Sequence, residues 1–563
     1  MAGVVGLGVA AVVVSQQRKV DVEASPAAVL YLVADTEQEL SRMPVRFTRM
    51  SDSEEVRIGD DIAKMYTRDT ALDKEQQQKV ETIEKYLNEV GNKVSAHAHR
   101  RLPYRFHYVP NEYMINAFAL PGGHVYVGGG LLALMDSEDE LAAVLGHEIE
   151  HIEHYDCADR AQQEQALRRI PLGGLVAIPV FIFEAGYSKD QELQADLDGT
   201  RLAFEAGYSP NGAIRMFEAI DREYQRYRVQ RARAGTPQEE ASQVAEETIA
   251  GYFRSHPLPS ERVTQVRKMI ADHNWPARAE RDLGIAYIFW TERAKVAMQD
   301  HKFSEAEQLA SRSVEMQAEQ PDAWELLADA RFAQAEFAEA ADAYRKVLED
   351  YPRRIELVQS YAMALAAADR RTAGQQFSRW LTSVSGERPR NGEAEQAGLN
   401  LLAGDTGMAR KVESDWLVNP DGWAPDYAGE VGWWYYLAGD YVHSSKILGD
   451  VVQQRPGDVR VWVRRAWGQI EIRRYSDAIQ SALNGNLDPR FQSERNMVAA
   501  VAYWQAKEPD LALQDFERAE ASEPEWGNSN WVRALYSPLV AQSITEMRVE
   551  QERRKKEKMA KRK

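Results

Sequence analysis

Two histidines four residues apart, with a glutamate directly after the first, stand out in this 563-residue chain: His147-Glu148-Ile149-Glu150-His151. On an α-helix, positions four apart share a face about 6 Å apart along the axis, so both imidazoles can reach one ion. A catalytic zinc takes three protein ligands at about 2.0 to 2.3 Å and leaves a fourth position to water. Glu148 lies one residue on from the first histidine, which lets it stand over that water rather than bind the ion. A carboxylate there can take the proton of a water acidified by zinc and pass it to a leaving amine, which is the chemistry of peptide hydrolysis.

The third ligand must come from elsewhere. His154 shares the helix face, but at 1.5 Å per residue it lies about 10 Å along the axis from His147, too far for one ion to be bound by both. Glu192, in Gln191-Glu192-Leu193-Gln194-Ala195-Asp196, is the better candidate. Glu192 and Asp196 are one turn apart, so one can bind zinc while the other accepts the free N–H of a ligating imidazole.

These residues need helices to hold them. Leu141, Val144, Leu145, Ile149 and Ile152 recur at helical spacing, and Ser137 with Glu140 forms a capping box at the expected helix start. A second helical run opens at Gln191. Upstream, Leu72 to Val94 is an amphipathic helix with Val80, Ile83, Leu87 and Val90 on one face and Gly91 at its end. Tyr104–Val109, Asn116–Ala119 and His124–Val127 read as strands, the last two separated by Pro121-Gly122-Gly123. An exposed edge there could bind an extended peptide through its main chain. His107 and His124 read as structural. The apolar run Ile170 to Phe183 is broken by Pro171, Gly173, Gly174 and Pro179, so it reads as a core helix or as a flap near the cleft. Arg222 to Thr248 is polar and reads as a loop that delivers His256, which could donate to an oxyanion or close the fourth zinc position.

At this point the chain resembles the M48 zinc metallopeptidases, which join H-E-x-x-H to a downstream E-x-x-x-D. The resemblance extends to Glu54-Glu55-Val56-Arg57-Ile58-Gly59, to Asn116 through Val127, to Gly130-Leu131-Leu132 and to His256-Pro257 with Arg262, an H-P-x-x-x-x-R block. It covers about residues 50 to 270. With the repeats described next, it most resembles the β-barrel assembly-enhancing proteases of the bacterial envelope. The resemblance implies one zinc held by His147, His151 and Glu192, with Asp196 behind a ligating histidine. It implies catalysis by Glu148 assisted by His256 and Arg262, the latter on a substrate carbonyl or an active-site carboxylate. Asn116, Ala117 and Phe118 would line the substrate.

Beyond Trp275-Pro276 the chain repeats with a period of 34. Trp290 and Trp324, Phe303 and Phe337, and Ala306 and Ala340 are each 34 apart, and the second unit runs through Tyr344 to Pro352. These are tetratricopeptide positions. A later register holds at Tyr441 and Tyr475 and at Ala478 and Ala512, with Pro524 closing the last unit; Ser360 to Asp426 fits poorly and suggests a degenerate unit or a break. Stacked helix pairs of this kind present a concave surface to a peptide or partner protein.

The net charge of −18 disfavours nucleic acid as a partner, and a single cysteine, Cys157, excludes an intramolecular disulfide. Ala2 to Val14 is thirteen small or apolar residues, too short to cross a bilayer as a helix but suited to a signal-peptide core, with Val13-Val14-Ser15 as a cleavage site. The expected layout is thus an apolar segment (1–15), an N-terminal arm (16–70) whose most helix-like part is Ala27 to Leu40, and a metallopeptidase (71–275). A solenoid (276–545) and a basic tail (546–563) follow; tail and apolar segment offer peripheral membrane contact. The fold class is mainly α: an α+β zincin-like domain with a small sheet, then an α-helical tetratricopeptide solenoid. The function expected is a zinc endopeptidase, exported to the envelope or periplasm, acting on protein or peptide substrates and engaging a protein partner through its repeats. The alternative is a chaperone or scaffold for outer-membrane assembly with latent proteolysis.

Overall fold

The computed structural model describes residues 50–66, 73–168, 187–231, 259–384, 389, 391–418, 424–484 and 488–562. The segments Ala2 to Val14, Ala27 to Leu40 and Ile170 to Phe183 lie outside the described residues, as do His256 and most of the expected loop after Arg222. The chain falls into two compact units, Met1–Phe289 and Trp290–Lys563.

In the first unit, α1 (Asp52–Tyr66) and α2 (Lys74–Ser95) precede β1 (Arg105–Val109), β2 (Ala117–Leu120) and β3 (His124–Gly128). Asp73 caps α2 reciprocally with Gln76, and Ile83, Leu87, Val90 and Val94 form its buried stripe. Gly91, expected at the end of this helix, lies inside it. A Cβ there would meet the Phe106 ring at 2.3 Å, so the glycine admits β1 rather than stopping the helix. β1 pairs parallel with β3 and β2 pairs antiparallel with it, so β2 is an edge strand. His107 and His124 are bonded to each other at 3.0 Å, and His124 to Asp60 of α1 at 2.9 Å.

After the short α3 (Gly129–Leu132) come α4 (Glu138–Glu153), α5 (Asp156–Arg168), α6 (Lys189–Glu205), α7 (Asn211–Arg231) and α8 (Pro259–Asp272). Residues 222 to 231, expected as loop, continue α7. Helix α4 is central: it packs on α2, α6, α7 and β2, with Leu141, Leu145, Ile149 and Ile152 fully buried. Ser137 and Glu140 form the expected capping box. The acids of the first turn, favoured by the free N–H groups there, also tie α4 to its neighbours. Glu138 accepts from the Tyr86 and Tyr208 hydroxyls at 2.7 and 2.8 Å, Asp139 from the Ser209 and Arg281 backbones, and Glu140 from Arg215 at 3.1 Å. Together with the Leu283 N–H bonded to the Asp136 carbonyl, the Arg281 contact holds the segment beyond Trp275 onto α4, and this segment packs within the first unit, which runs to Phe289.

The second unit is a succession of helices packed on one another. Phe303 and Phe337 open helices Phe303–Met316 and Phe337–Asp350, and Tyr441 and Tyr475 open Tyr441–Gln454 and Tyr475–Asn484. Ala306, Ala340, Ala478 and Ala512 are fully buried, as residues at close helix crossings must be. The turns repeat in the backbone too: His301, Ala335, Gly439, Arg473 and Lys507 all have positive φ, and 301 to 335, 439 to 473 and 473 to 507 are each 34 residues. Where the period fails in sequence, helices Ile355–Ala368, Ala373–Ser383, Gly392–Leu402 and Gly407–Val418 still follow one another. The last three have 11, 11 and 12 residues against 14 in Phe303–Met316, which shifts the register without ending the array. The expected tail from 546 begins inside helix Pro538–Arg562: Met547 and Gln551 are buried, and Arg554 pairs with Asp510 at 2.6 Å. No described helix is long and apolar enough to cross a membrane.

Candidate metal centre

Helices α4 and α6 meet at two glycines. A Cβ on Gly146 would lie 2.4 Å from the Gly199 carbonyl oxygen, and one on Gly199 would lie 2.5 Å from the His147 nitrogen. No side chain fits at either position, and the close approach brings His147 and His151 opposite Glu192 and Asp196. His147 Nε2 and His151 Nε2 are 3.2 Å apart, and the Glu192 oxygens lie 3.4 and 3.6 Å from them. Glu192 is fully buried. It is placed by a capping box between Ser188 and Gln191 and by the Tyr187 N–H, which donates to it at 3.0 Å.

Each imidazole is held from behind by a carboxylate. His147 Nδ1 lies 2.9 Å from Asp196, and His151 Nδ1 lies 2.9 Å from Asp156. Such partners turn both Nε2 atoms toward the common centre. Burial opposes charge on His147, but the Asp196 and Glu192 carboxylates overcome it and hold its pKa up to about 10. Burial pushes His151 below its ordinary value. Two nitrogens and a buried carboxylate in this arrangement could hold a metal ion.

Asp156 was not anticipated from sequence, although a carboxylate five residues after His151 was its one signal. It reaches back because Tyr155 adopts φ 64°, a left-handed conformation costly for a bulky residue, between α4 and α5. The Arg100 guanidinium, 3.7 Å over the Tyr155 ring, helps to hold that turn. Tyr187 covers the site, its ring centroid 4.2 Å from that of His151.

The other expected site residues fall into two groups. Glu148, Asn116 and Ala117 share with His147 the wall of one recess, which Asp196, Thr200 and Arg262 also line and whose apolar part is formed by Leu131, Val144, Met216, Phe217 and Ile220. The Asn116 carbonyl accepts from Gly128 of β3, so by antiparallel alternation the Ala117 backbone N–H and C=O face the open edge of β2. Phe118 is one residue out of phase. Its ring is stacked on Tyr126 with centroids 5.0 Å apart and is 2% exposed, so it belongs to the core and does not line the recess. Of the two roles expected for Arg262, a substrate carbonyl or an active-site carboxylate, the structure shows the second. Arg262 is 2% exposed and donates to both Asp196 oxygens at 2.7 and 2.5 Å, with its guanidinium 4.0 Å over Phe217. It acts through Asp196 on His147 and is a positioning residue rather than a group on the reacting atoms. Burial opposes charge on Asp196, but the Arg262 guanidinium, helped by His147, holds its carboxyl below the usual range.

Residues 78–270 match the model of peptidase family M48, and residues 291–355 match that of the tetratricopeptide repeat. The chain therefore carries an M48 metallopeptidase domain followed by tetratricopeptide repeats. Among curated proteins it is similar to the beta-barrel assembly-enhancing protease of Yersinia pestis, 28% identical over 206 residues, which are 33% of this chain and 38% of that protein. It is also similar to the mitochondrial metalloendopeptidase OMA1 of Schizosaccharomyces pombe, 33% identical over 116 residues, 19% of this chain and 34% of that one. The chain thus spans well under half the length of these relatives. A solved tetratricopeptide repeat protein of Parabacteroides merdae aligns with 46% of this chain and 98% of its own at 14% identity, with a TM-score of 0.29.

Proposed function

We propose that the chain is a zinc endopeptidase of the cell envelope, with His147, His151 and Glu192 as the ligands of one ion. The observation that carries this is the pair of Nε2 atoms 3.2 Å apart, each imidazole backed by its own aspartate, beside a fully buried glutamate. Zinc bound there supplies a Lewis acid that lowers the pKa of water and polarises a carbonyl. Glu148, in the wall of the same recess, takes the proton of the attacking water and returns it to the leaving nitrogen. Ala117 offers its outward main-chain groups to an extended peptide, Asn116 lies beside it, and the apolar part of the recess, formed by Leu131, Val144, Met216, Phe217 and Ile220, receives an apolar side chain next to the scissile bond. Asp196, Asp156 and Arg262 hold the ligands in place. His256 lies outside the described residues.

The substrates we propose are misfolded or stalled envelope proteins, with the repeats engaging a partner or the substrate itself; the similarity to a beta-barrel assembly-enhancing protease supports an envelope setting. The test is casein cleavage by zinc-loaded wild type and Glu148→Gln, with zinc measured in both. The variant is expected to keep its zinc and to lose cleavage by about 10²- to 10⁴-fold. Equal rates would end the hydrolytic reading, and a wild-type chain that binds envelope proteins without cutting any would favour the chaperone alternative.

A further inference from the structure

Glu150 in the last turn of α4 and His154 at its C-cap are one turn apart, on a face rotated about 60° from that of His147 and His151. Asp198 of α6 comes up opposite them, and one ligand atom from each of the three residues lies within 4.8 Å of the others. His154 Nε2 is 3.4 Å from a Glu150 oxygen and 3.5 Å from an Asp198 oxygen. Both distances exceed the roughly 2.7 to 2.9 Å of a charge-assisted hydrogen bond, so the three groups surround a gap rather than close on one another. Arg201 at 3.1 Å and the Gln194 amide also hold Asp198. Glu150 is different. It is 2% exposed, its Oε2 faces His154, its one ion-pair partner among the described residues, and its Oε1 is buried with no hydrogen bond. A buried carboxylate oxygen without a partner is costly, and a cation in the gap held by both Glu150 oxygens would satisfy it.

We infer that Glu150, His154 and Asp198 form a second divalent-cation site, separate from the His147, His151 and Glu192 centre. One imidazole nitrogen with two carboxylates suits a borderline ion such as zinc better than magnesium or calcium, which prefer all-oxygen sites. His154 is 34% exposed and Asp198 15%, so an ion can enter from solvent and keep water ligands, and binding is weaker than at a closed site. The position gives the ion a consequence. Glu150 directly precedes His151, and Asp198 follows Asp196 by two, so an ion here links the same two helices that carry the first centre. Occupancy would brace α4 against α6.

The experiment uses the full chain, stripped by chelator and titrated with Zn²⁺, and with Mg²⁺ as a control, by equilibrium dialysis with elemental analysis. Wild type should bind two zinc ions with distinct affinities and no magnesium at comparable concentration. His154→Ala, a change at a partly exposed position, and Asp198→Asn should each keep the tighter ion and weaken the second at least tenfold. Glu192→Ala should do the reverse, losing the tight ion while keeping the weaker one, so failure of the first centre and failure of this site read out differently. A rise in Tm between one and two zinc equivalents, absent in His154→Ala, gives a second measure. If the isotherms and melting curves of wild type and His154→Ala superpose, the cluster holds only a proton and the inference is wrong.

Discussion

Helix α4 of the peptidase unit buries Glu138, Asp139, Glu140, His147, Glu148, Glu150, His151 and Glu153 along one helix, whereas helices of the repeat unit meet through alanines such as Ala306, Ala340 and Ala478. Most of the buried charges on α4 find partners from distant parts of the chain: Tyr86, Arg100, Arg215 and Arg281 all reach it. In the repeats the contact is made by the absence of bulk, so many sequences serve. The peptidase unit thus depends on particular residues at particular places, and the repeat unit on a spacing. Substitutions should separate the two regimes.

The largest effect is expected where a single Cβ strikes backbone. Gly199→Ala places its Cβ 2.5 Å from the His147 nitrogen and 2.6 Å from the Gly146 carbonyl carbon, neither of which can turn aside. Helices α4 and α6 must separate, at a cost of about 3 kcal/mol or more, and metal binding should fall with stability. Denaturant titration and metal analysis check both; unchanged metal affinity would show that the close approach is not what sets the ligand geometry. Next comes Asp156→Ala, which frees His151 Nδ1. Loss of such a supporting carboxylate typically weakens metal affinity about 10- to 100-fold, measurable by competition with a chromophoric chelator. If affinity holds, Asp156 serves only the turn at Tyr155.

Part of this contrast could be read in the sequence. The capped helix from Ser137, the facing run with Glu192 and Asp196, and the first repeats were legible because each is written in local spacing. What could not be read depends on long-range contact or on backbone that ignores residue type. Gly146 and Gly199 are ordinary helix glycines until the two helices are apposed. Phe118 was misassigned because a strand alternates faces, and a shift of one residue exchanges recess for core. Arg262 sits in the right block, but its partner is Asp196, 66 positions away. Tyr155 gave no turn signal, being neither glycine nor asparagine.

A buried acid in the repeats sharpens the comparison through pH. Glu395 is almost fully buried and accepts from Trp434 Nε1 at 2.9 Å; burial, then the nearby Glu430 charge, push its pKa up to about 8. The folded chain therefore holds this proton more tightly than the unfolded one, whose carboxyl titrates near 4.5. The unfolded state binds fewer protons between those values, so stability falls as pH rises from about 5 to about 8. Glu395→Gln removes the group and should flatten that slope in urea midpoints of the intact chain, while Asp196, whose pKa is depressed, contributes with the opposite sign at low pH. An unchanged slope would mean that the carboxyl is ionised in the fold.

The smallest effect tests whether the repeat is a property of backbone as well as of side chains. Ala335 has φ 68° and Gly439 φ 87°, both at the turn that recurs along the array. A Cβ on Gly439 would meet nothing within 4 Å, so its replacement is a change of backbone preference alone. An L-residue in the left-handed region costs roughly 1 to 2 kcal/mol, and glycine offsets part of that by losing about 0.5 to 1 kcal/mol more chain entropy on folding. Ala335→Gly should therefore stabilise the chain by a few tenths to about 1 kcal/mol, and Gly439→Ala should destabilise it by a similar amount. For a unit of this size either is a shift in Tm of roughly 2 to 4 °C per kcal/mol, readable in the fluorescence of Trp434, Trp467 and Trp526, which are buried in this unit. Opposite signs would show that the turn demands a conformation and takes whatever residue stands there. If Ala335→Gly destabilises instead, the Ala335 methyl is a packing contact, and the period belongs to the side chains after all.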